Sequence, residues 1–351
     1  MCEAKKEKFM ATIREIAELA GVSRGTVDRV LNHRGAVNEK TAQKVLEIAR
    51  ALNYRPNPAG LALAAQKKQI CLGVILCPTS NSFFYELLQN INAISKELTC
   101  YNCTVLVKQV AFDEAMQLQA IEELLAEGIH GLALCPINMP SIRKRIDELV
   151  DQGIPVVTFN TDVEHSKRLA YVGSDFIHAG ETAAGLVRLM TTGDIQIGII
   201  SGSPDVLCHT ERVAGFKRSI AASCSRIHVV DIRYCHDDDI ESYEQTSLLL
   251  SEHPQINAVY FSAGGVYGGC RAIKALKLSR PLSIFTFDAG PNTRKLIREG
   301  MVLATICQHP EIQGRKPLEI LFNFLTSGEL PKSEYLYTSA DIRIRENLLE
   351  I

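Results

Sequence analysis

From residue 69 onward, short apolar runs alternate regularly with amphipathic stretches of helical length. Nine runs rich in Val, Ile, Leu and Phe have the length and composition of buried β-strands. They are ICLGVILC (70–77), TVLVKQV (104–110), GLALCP (131–136), PVVTF (155–159), IGIIS (197–201), HVVDIRY (228–234), AVYFS (258–262), SIFTFD (283–288) and LATIC (303–307). Strands that alternate with helices pair in parallel and are covered by helices on both faces. Nine strands are more than a single domain of this kind usually contains. The pattern therefore predicts an α/β body of two doubly wound parallel-sheet lobes.

Sheets of this kind bind ligands beyond the carboxyl ends of their strands. The residues that follow the predicted strands include aromatic rings, amides, carboxylates and an arginine. They are Pro78 to Phe84, Asn160 to Asp162, Thr210 to Arg212, Ala263 to Gly265, Asp288, Gln308 and His309. Aromatic rings can cover the apolar C–H faces of a polyhydroxylated ligand, while polar groups pair its buried hydroxyls. A crevice for such a ligand is therefore expected, although any one of these residues alone could be a helix cap or a loop residue.

The N-terminal part follows a helical period instead. Thr12 and Glu15 have the spacing of a capping box, and Gly21 can end the helix that follows with a positive φ. Ser23 is then the cap of a second helix. The apolar stripes of the two helices are Ile13, Ile16, Ala17 and Ala20, then Val27, Val30 and Leu31. This spacing predicts a helix-turn-helix, whose second helix enters the major groove of DNA, with an ordinary helical hairpin as the alternative.

Charge favours the DNA-binding interpretation. A third helix is expected after Asn38, with Val45, Ile48, Ala49 and Leu52 facing inward. Up to Lys68 the chain has thirteen Lys and Arg against seven Asp and Glu, a net charge of +6. The whole chain has a net charge of −2, so the remainder carries −8. A basic segment on an acidic body is typical of a nucleic-acid-binding domain attached to a soluble module.

The run TIREIAELAGVSRGTVDRVLN, followed by NYRPN at 53–57, resembles the DNA-binding domain of the LacI/GalR family. The resemblance covers residues 12–57 and implies a homodimer on a pseudo-palindromic operator. On the second helix we expect base contacts from Arg24, Gly25, Asp28 and Arg29. We expect contacts to the DNA backbone from Ser23, Thr26, Asn32, Tyr54 and Asn57. Among the expected base contacts, Asp28 is an acid that stands where the better-known relatives have Ser. This difference suggests that Asp28 takes part in the choice of DNA sequence.

Residues 58–68 connect the basic segment to the body and are rich in alanine. The resemblance implies a hinge helix that folds on DNA and inserts a leucine, here Leu63, into the minor groove. Gly60 weakens such a helix by about 1 kcal/mol relative to alanine, which would make its folding more dependent on the operator. The alternative is a plain linker.

The body resembles the type I periplasmic sugar-binding proteins, notably those for ribose, over nearly all of residues 69–335. The matching motifs are NSFF (81–84), HTERVAGF (209–216), FD (287–288) and ATIxQ (304–308). The site residues carried over by this resemblance are Asn81, Phe83, Phe84, Arg212, Asp288 and Gln308. Two departures, Asn160-Thr161 and Gly264 within Ala263-Gly264-Gly265, stand where the family has charged or amide side chains. They predict that the effector is not bound in the way the family binds ribose, and a sugar, sugar acid or polyol is expected.

The sequence thus predicts a cytoplasmic transcriptional regulator, most often a repressor. Its predicted parts are a disordered extension (1–9), the DNA-binding domain (10–57), the hinge helix or linker (58–68) and the effector-binding and dimerisation domain (69–351). A sugar-handling enzyme or a transport-linked binding protein is the alternative, but no phosphate-binding loop, zinc motif or nucleophile elbow is present. No cofactor or metal is expected. No membrane partner is expected either, because the sequence has no apolar run of about 18 residues.

Three further motifs are given structural roles. The eleven cysteines, including the Cys100 and Cys103 pair, are expected to be mostly small buried side chains in a reducing compartment. The pair Ser174-Asp175 is expected to cap a helix that starts near Phe176. The run at 236–239, HDDD, is expected to be a solvated loop rather than a metal site.

Overall fold

A computed structural model of the chain describes residues 12–31, 37–52, 69–77 and 82–348. Its first part consists of three helices, α1 (Ile13–Ala20), α2 (Arg24–Leu31) and α3 (Glu39–Ala51). The predicted capping box of α1 is present: the Thr12 N–H donates to Glu15 Oε2 at 2.7 Å, and the Glu15 N–H donates to Thr12 Oγ1 at 3.3 Å. Gly21 ends the helix with a φ of 69°.

The three helices share one apolar core, in which Ile16 and Val27 are fully buried. The second helix is capped as predicted, because the Thr26 N–H donates to Ser23 Oγ at 3.1 Å. The third is capped by Asn38, whose Oδ1 accepts from the Lys40 N–H at 3.0 Å. The predicted inward position of Leu52 is wrong: its side chain is 37% exposed, because it lies beyond the end of α3.

The body contains twelve strands within the described ranges. They are β1 (Ile70–Leu76), β2 (Cys103–Gln109), β3 (Gly131–Leu134), β4 (Val156–Phe159), β5 (Ala170–Ser174), β6 (Ile195–Ser201), β7 (Ile227–Tyr234), β8 (Ala258–Phe261), β9 (Ser283–Phe287), β10 (Ala304–Cys307), β11 (Tyr335–Thr338) and β12 (Asp341–Arg343). The helices between them are α4 (Ser82–Thr99), α5 (Glu114–Ala126), α6 (Pro140–Asp151), α7 (Phe176–Met190), α8 (Leu207–Ser223), α9 (Asp239–Glu252), α10 (Val266–Leu276), α11 (Pro291–Arg298) and α12 (Pro310–Ser327).

These strands form two sheets of six, which confirms the predicted fold class. The first has the order β11-β5-β4-β3-β1-β2, and the second has the order β12-β10-β9-β8-β6-β7. All pairs are parallel except β10 with β12. Each sheet has an apolar core on both faces, as the continuous apolar runs of its strands require.

The chain passes between the two lobes three times: from β5 to α7, from β10 to α12, and from β11 to β12. Side chains join these crossings. Ser174 Oγ lies 3.2 Å from Thr338 Oγ1, and that threonine hydroxyl donates to the carbonyl oxygen of Gln308 at 3.1 Å. Asp175 caps α7, as predicted, by accepting from the His178 N–H at 3.0 Å. The three crossings therefore form one hydrogen-bonded hinge between the two lobes. This interlobe hinge is distinct from the predicted hinge helix at residues 58–68.

Within these described ranges, none of the helices is both long enough and apolar enough to cross a lipid bilayer.

Candidate functional site

The polar face of α2 is open to solvent. Arg24, Gly25 and Arg29 are exposed, and Asp28 is half-buried. Arg29 Nε donates to the Gly25 carbonyl oxygen at 3.1 Å, so its guanidinium is held along the helix. The opposite face, with Val27 and Val30, is buried against the other two helices. The predicted base-contact residues thus share one accessible helix face, as entry into a DNA groove requires.

Among the predicted backbone contacts, Ser23 is exposed and Thr26 is half-buried at the start of α2. Asn32, Tyr54, Asn57, the hinge residue Leu63 and the crevice residue Asn81 lie outside the described residues. Their roles stay predictions.

In the first lobe, Phe83 and Phe84 begin α4. Their ring centres are 5.6 Å apart in an edge-to-face arrangement, and each side chain is buried. Both belong to the core between α4, α12 and the sheet. Phe83 also lines the cavity described below, whereas the Phe84 ring packs against that of Phe112, with 6.3 Å between the ring centres. Of the two rings, Phe83 is therefore the one placed to offer an apolar face to a sugar ring.

In the second lobe, Arg212 on α8 is buried and points at the hinge. Its Nη1 donates to the Ser262 carbonyl oxygen at 3.0 Å, and its Nη2 donates to Gln308 Oε1. The guanidinium carbon lies 4.1 Å from the centre of the Phe287 ring and 5.1 Å from that of Phe176. Its Nε is buried and has no hydrogen-bond partner among the described residues. One donor is thus left for a ligand.

Asp288 follows β9 with a φ of 60°, which turns its side chain toward Gln308. Gln308 Nε2 donates to Asp288 Oδ2 at 2.8 Å. Burial raises the pKa of Asp288 to about 7, against the opposing effects of Arg212 and of the Gln308 hydrogen bond, while Glu86 and Asp237 raise it further. This carboxyl is therefore an acceptor that can also carry a proton near neutral pH.

A chain of hydrogen bonds extends this pair into the first lobe. Gln313 Nε2 donates to the Gln308 carbonyl oxygen at 2.6 Å, and Gln313 Oε1 accepts from Asn160 Nδ2 at 3.4 Å. Asn160 is buried with a φ of 63°, and Thr161 beside it is fully buried. The Thr161 hydroxyl has no partner among the described residues. Four of the predicted crevice residues therefore belong to one network that crosses the hinge: Asn160, Arg212, Asp288 and Gln308.

The backbone of Gly264, predicted to be an effector-binding position, contacts another residue of the protein. Its N–H donates to Asp237 Oδ1 at 2.6 Å, so this amide is already engaged by a side chain of the protein. Asp237 belongs to the run that was predicted to be a solvated loop, and for this residue the prediction is wrong, because the side chain is only 16% exposed. Asp238 caps α9 by accepting from the Ile240 N–H at 2.8 Å.

His209 is the second residue that sequence reasoning missed. Its Nδ1 accepts from the Ser203 N–H at 3.0 Å, and its Nε2 lies 3.5 Å from Asp237 Oδ2. Because Nδ1 is an acceptor, the proton of the neutral ring sits on Nε2 and faces the carboxylate. A histidine within HTERVAGF was the available sequence signal, but its partner lies 28 residues further along the chain.

A cavity of about 170 Å³ opens next to this network. Phe83 and Glu86 of the first lobe, Asp288 and Arg294 of the second, and Gln308 at the hinge contribute to its walls. The cavity therefore places three predicted crevice residues, Phe83, Asp288 and Gln308, around one space.

The two lobes also touch across the crevice. The Asn138 N–H, in the loop after β3, donates to the Asp205 carbonyl oxygen, in the loop after β6, at 3.4 Å. Nearby, Val206 and Cys208 of the second lobe pack with Tyr171 and the partly buried Phe112. The crevice in this structure is therefore closed.

Glycines fix the helix that carries Arg212. A Cβ on Gly180 of α7 would lie 2.1 Å from the carbonyl oxygen of Arg212, and one on Gly215 of α8 would lie 2.1 Å from that of Ile177. The backbones of the two helices are thus in direct contact. This close approach sets the position of Arg212 against the sheet.

The ten cysteines in the described ranges are free thiols, and six of them are buried, in line with the prediction. Cys100 of the close pair is exposed and Cys103 is buried. Over the same ranges, no group of three or more His, Cys, Asp and Glu side chains is arranged to hold a metal ion.

Two protein families match the chain. Residues 12–57 match the lacI family of bacterial regulatory proteins, and residues 72–330 match a periplasmic binding protein domain. The catabolite control protein A of Priestia megaterium is 29% identical over 92% of this chain and 95% of its own length. The ribose operon repressor of Halalkalibacterium halodurans is 27% identical over 82% of this chain and 83% of its own.

The body alone resembles transport proteins. The ribose import binding protein of Bacillus subtilis is 25% identical over 77% of this chain and 86% of its own. Among solved structures, a glucose-galactose binding protein from Geobacillus stearothermophilus superposes with a TM-score of 0.72 at 24% identity, covering 80% of this chain and 99% of that one. That likeness shows the fold of the body.

Catabolite control protein A and the ribose operon repressor are regulators by their descriptions, and the two matching families correspond to the two parts of the structure. The chain carries a DNA-binding domain of the lacI family at residues 12–57 and belongs, over residues 72–330, to the periplasmic binding protein domain family: it is a DNA-binding transcriptional regulator.

Proposed function

We propose that this protein is a cytoplasmic repressor that binds a pseudo-palindromic operator as a homodimer and changes its operator affinity when a carbohydrate occupies the crevice. The observation that carries the proposal is the network from Asn160 through Gln313 and Gln308 to Asp288, because it joins both lobes at the hinge. A ligand that pairs with this network stabilises one arrangement of the lobes over another. The ligand changes DNA affinity only through the difference in its affinity for the two arrangements.

The DNA-binding domain is assigned to residues 10–57, the hinge to 58–68 and the effector domain to 69–351. Arg24, Gly25, Asp28 and Arg29 are the proposed base contacts, since they share the accessible face of α2. Leu63 is the proposed minor-groove wedge. Asn81, Phe83, Phe84, Asn160, Thr161, Arg212, Asp288 and Gln308 are the proposed effector contacts. Gly264 acts indirectly, by holding Asp237.

Exposed apolar side chains in the second lobe support dimerisation. Ile240 is 72% exposed, and Tyr243 and Tyr267 are 36% and 42% exposed. They lie on α9 and α10, which pack so closely that a Cβ on Gly268 would meet the Asp239 carbonyl oxygen at 1.8 Å. Neighbouring exposed side chains of this kind mark protein interaction surfaces.

The salt dependence of DNA binding tests the proposed interface. Affinity for an operator recovered by binding-site selection is measured from 50 to 200 mM salt. A dimer that neutralises several phosphates loses affinity with a logarithmic slope of roughly −5 or steeper. A slope near zero would mean that few phosphates are contacted, and it would refute the proposed role of this domain.

A further inference from the structure

The cavity beside Asp288 lies between the first turns of two helices that belong to different lobes. Ser82 begins α4 of the first lobe, and Gly290 precedes α11 of the second. A Cβ on Gly290 would overlap the Ser82 hydroxyl and lie 3.0 Å from the Ser82 Cβ, so the two helix starts are in contact. About one helical turn further along, Glu86 of α4 and Arg294 of α11 both line the cavity. Both walls therefore face each other only while the lobes are closed.

Most charged side chains of the cavity wall already have a hydrogen-bond partner within the protein. These pairs are Asp288 with Gln308 Nε2, Arg294 Nε with the Ala289 carbonyl oxygen, His309 Nδ1 with Glu311 Oε1, and Arg343 Nη2 with Asp341 Oδ2. Glu86 differs from them. Its backbone carbonyl accepts from Asn90 Nδ2 at 2.9 Å, but its carboxylate has no hydrogen bond or ion pair with any residue of the described ranges.

The environment of Glu86 calls for a hydrogen-bond donor. The side chain is half-buried, so its carboxylate is partly removed from water and gains from any donor that reaches it. A carboxylate only accepts, and the hydroxyl groups of a carbohydrate donate. Phe83, three residues earlier and therefore on the same face of α4, lines the same cavity with an apolar ring. This helix face thus combines the polar and apolar contacts that a sugar requires.

Glu86 is also the charged side chain that the first lobe contributes to this wall. Asp288 belongs to the second lobe, and Gln308 belongs to the interlobe hinge. An effector that is hydrogen-bonded to Glu86 and to Asp288 together is held by both lobes. It therefore binds the closed arrangement better than an open one, which is the condition for an effect on operator affinity.

We propose that Glu86 is a specificity-determining effector contact, which accepts a hydrogen bond from one hydroxyl group of the bound carbohydrate. This role rests on the proposed function, and it adds a residue that the resemblance to sugar-binding proteins did not supply. It restricts the effector to compounds with a hydroxyl group at the position that meets Glu86. A deoxy analogue leaves the carboxylate without a partner, and sites built to pair a hydroxyl group reject such analogues.

The test pairs the removal of one side chain with the removal of one hydroxyl group. The full-length protein is screened by thermal shift with D-ribose, D-glucose, D-galactose, D-glucitol, D-gluconate and D-glucuronate. The compound that stabilises it most is then compared by calorimetry with each of its monodeoxy analogues. In the wild type, one analogue lacks the hydroxyl group that pairs with Glu86 and is expected to bind about tenfold more weakly or worse.

Glu86→Ala is expected to weaken binding of the parent compound by about tenfold or more and to remove the penalty for that one analogue. The other analogues should keep their penalties. Glu97→Ala is the matched control at the far end of α4, where Glu97 is exposed and pairs with Arg315. Melting without ligand separates binding from folding, since Glu86→Ala breaks no hydrogen bond of its side chain and should not lower the melting temperature. Glu86→Gln, which keeps one acceptor oxygen, carries the test with a smaller expected loss if the alanine variant does not fold.

The outcomes distinguish the role of Glu86 from the proposed function. Unchanged affinity for the parent compound in a folded Glu86→Ala variant overturns the role of Glu86 but leaves a carbohydrate-responsive regulator. The same holds if every analogue has the same penalty in the variant as in the wild type. Binding of none of the six compounds overturns the carbohydrate assignment and the role of Glu86 with it, whereas DNA binding is tested independently by its salt dependence.

Discussion

Arg212 and Phe287 are stacked inside the second lobe, with the guanidinium carbon 4.1 Å from the ring centre. The same guanidinium donates to the Ser262 carbonyl oxygen and to the side chain of Gln308. A planar, forked cation fits both requirements at once, whereas an ammonium group does not. Contacts within the protein therefore hold this arginine between α8 and Gln308.

Replacing Arg212 with Lys is expected to weaken effector binding at least tenfold, because the lysine cannot serve two acceptors while stacking on Phe287. Calorimetric titration of the effector measures the change. Arg218→Lys is the matched control on the same helix, since Arg218 is exposed and pairs with Glu181 at the surface. Equal effects of the two substitutions would argue against a binding role for Arg212.

Gly180 is expected to tolerate no side chain, because a Cβ would lie 2.1 Å from the Arg212 carbonyl oxygen. Gly180→Ala should push α8 away from α7, lower the melting temperature and weaken the effector response. On the same helix, a Cβ on Gly185 would meet no heavy atom of the described chain within 4 Å. Gly185→Ala should stabilise the helix by about 0.5–1 kcal/mol. A similar loss of stability in the Gly180→Ala and Gly185→Ala variants would contradict the close contact between α7 and α8.

The raised pKa of Asp288, about 7 against an ordinary value of 3.8, predicts a dependence of stability on pH. Between these values the folded protein holds a proton that the unfolded chain has lost. The contribution of Asp288 is therefore fully present below pH 3.8 and is lost as pH rises through about 7. For a shift of about three units the loss is at most about 4 kcal/mol.

Asp288→Asn removes this titration. The melting temperature of the variant minus that of the wild type is expected to be larger at pH 8 than at pH 5.5. Each kcal/mol of stability corresponds to roughly 2–4 °C in melting temperature. Melting of both proteins without ligand across this range measures it. Parallel melting curves at every pH would show that Asp288 titrates normally.

Asp28 is expected to select a base pair, because a half-buried acid on the DNA-facing side of α2 lowers general affinity for phosphates. Asp28→Ser should relax discrimination at one position of the operator by about 1–3 kcal/mol and tighten non-specific binding. Binding-site selection with both proteins measures this change. Recovery of the same operator sequence from both would exclude a role in base recognition.

Much of this architecture could be predicted from local sequence. All nine predicted strands are present. Seven of them are apolar runs that are almost entirely buried, whereas the edge strands β2 and β7 contain charged residues and are mostly half-buried. The strands that were not predicted, β5, β11 and β12, lie next to the hinge. The edge strand β11 exposes Tyr335 and Tyr337, and β12 has three residues, so neither has the apolar pattern of a central strand.

The crevice shows the limit of the same approach. Arg212, Asp288 and Gln308 could be placed because each follows a strand or belongs to a recognisable motif. Asp237 could not, since a carboxylate in an acidic run has the local pattern of a solvated loop. Its burial depends on His209 and Gly264, which are 28 residues earlier and 27 residues later in the chain.

The central claim is that one crevice controls DNA binding. The most direct measurement is fluorescence anisotropy of a selected operator with the full-length protein, with and without a saturating sugar that raises its melting temperature. The expected change in operator affinity is about 5–150-fold, and operator must change sugar affinity by the same factor. An operator affinity that stays the same while the sugar is bound would contradict the claim.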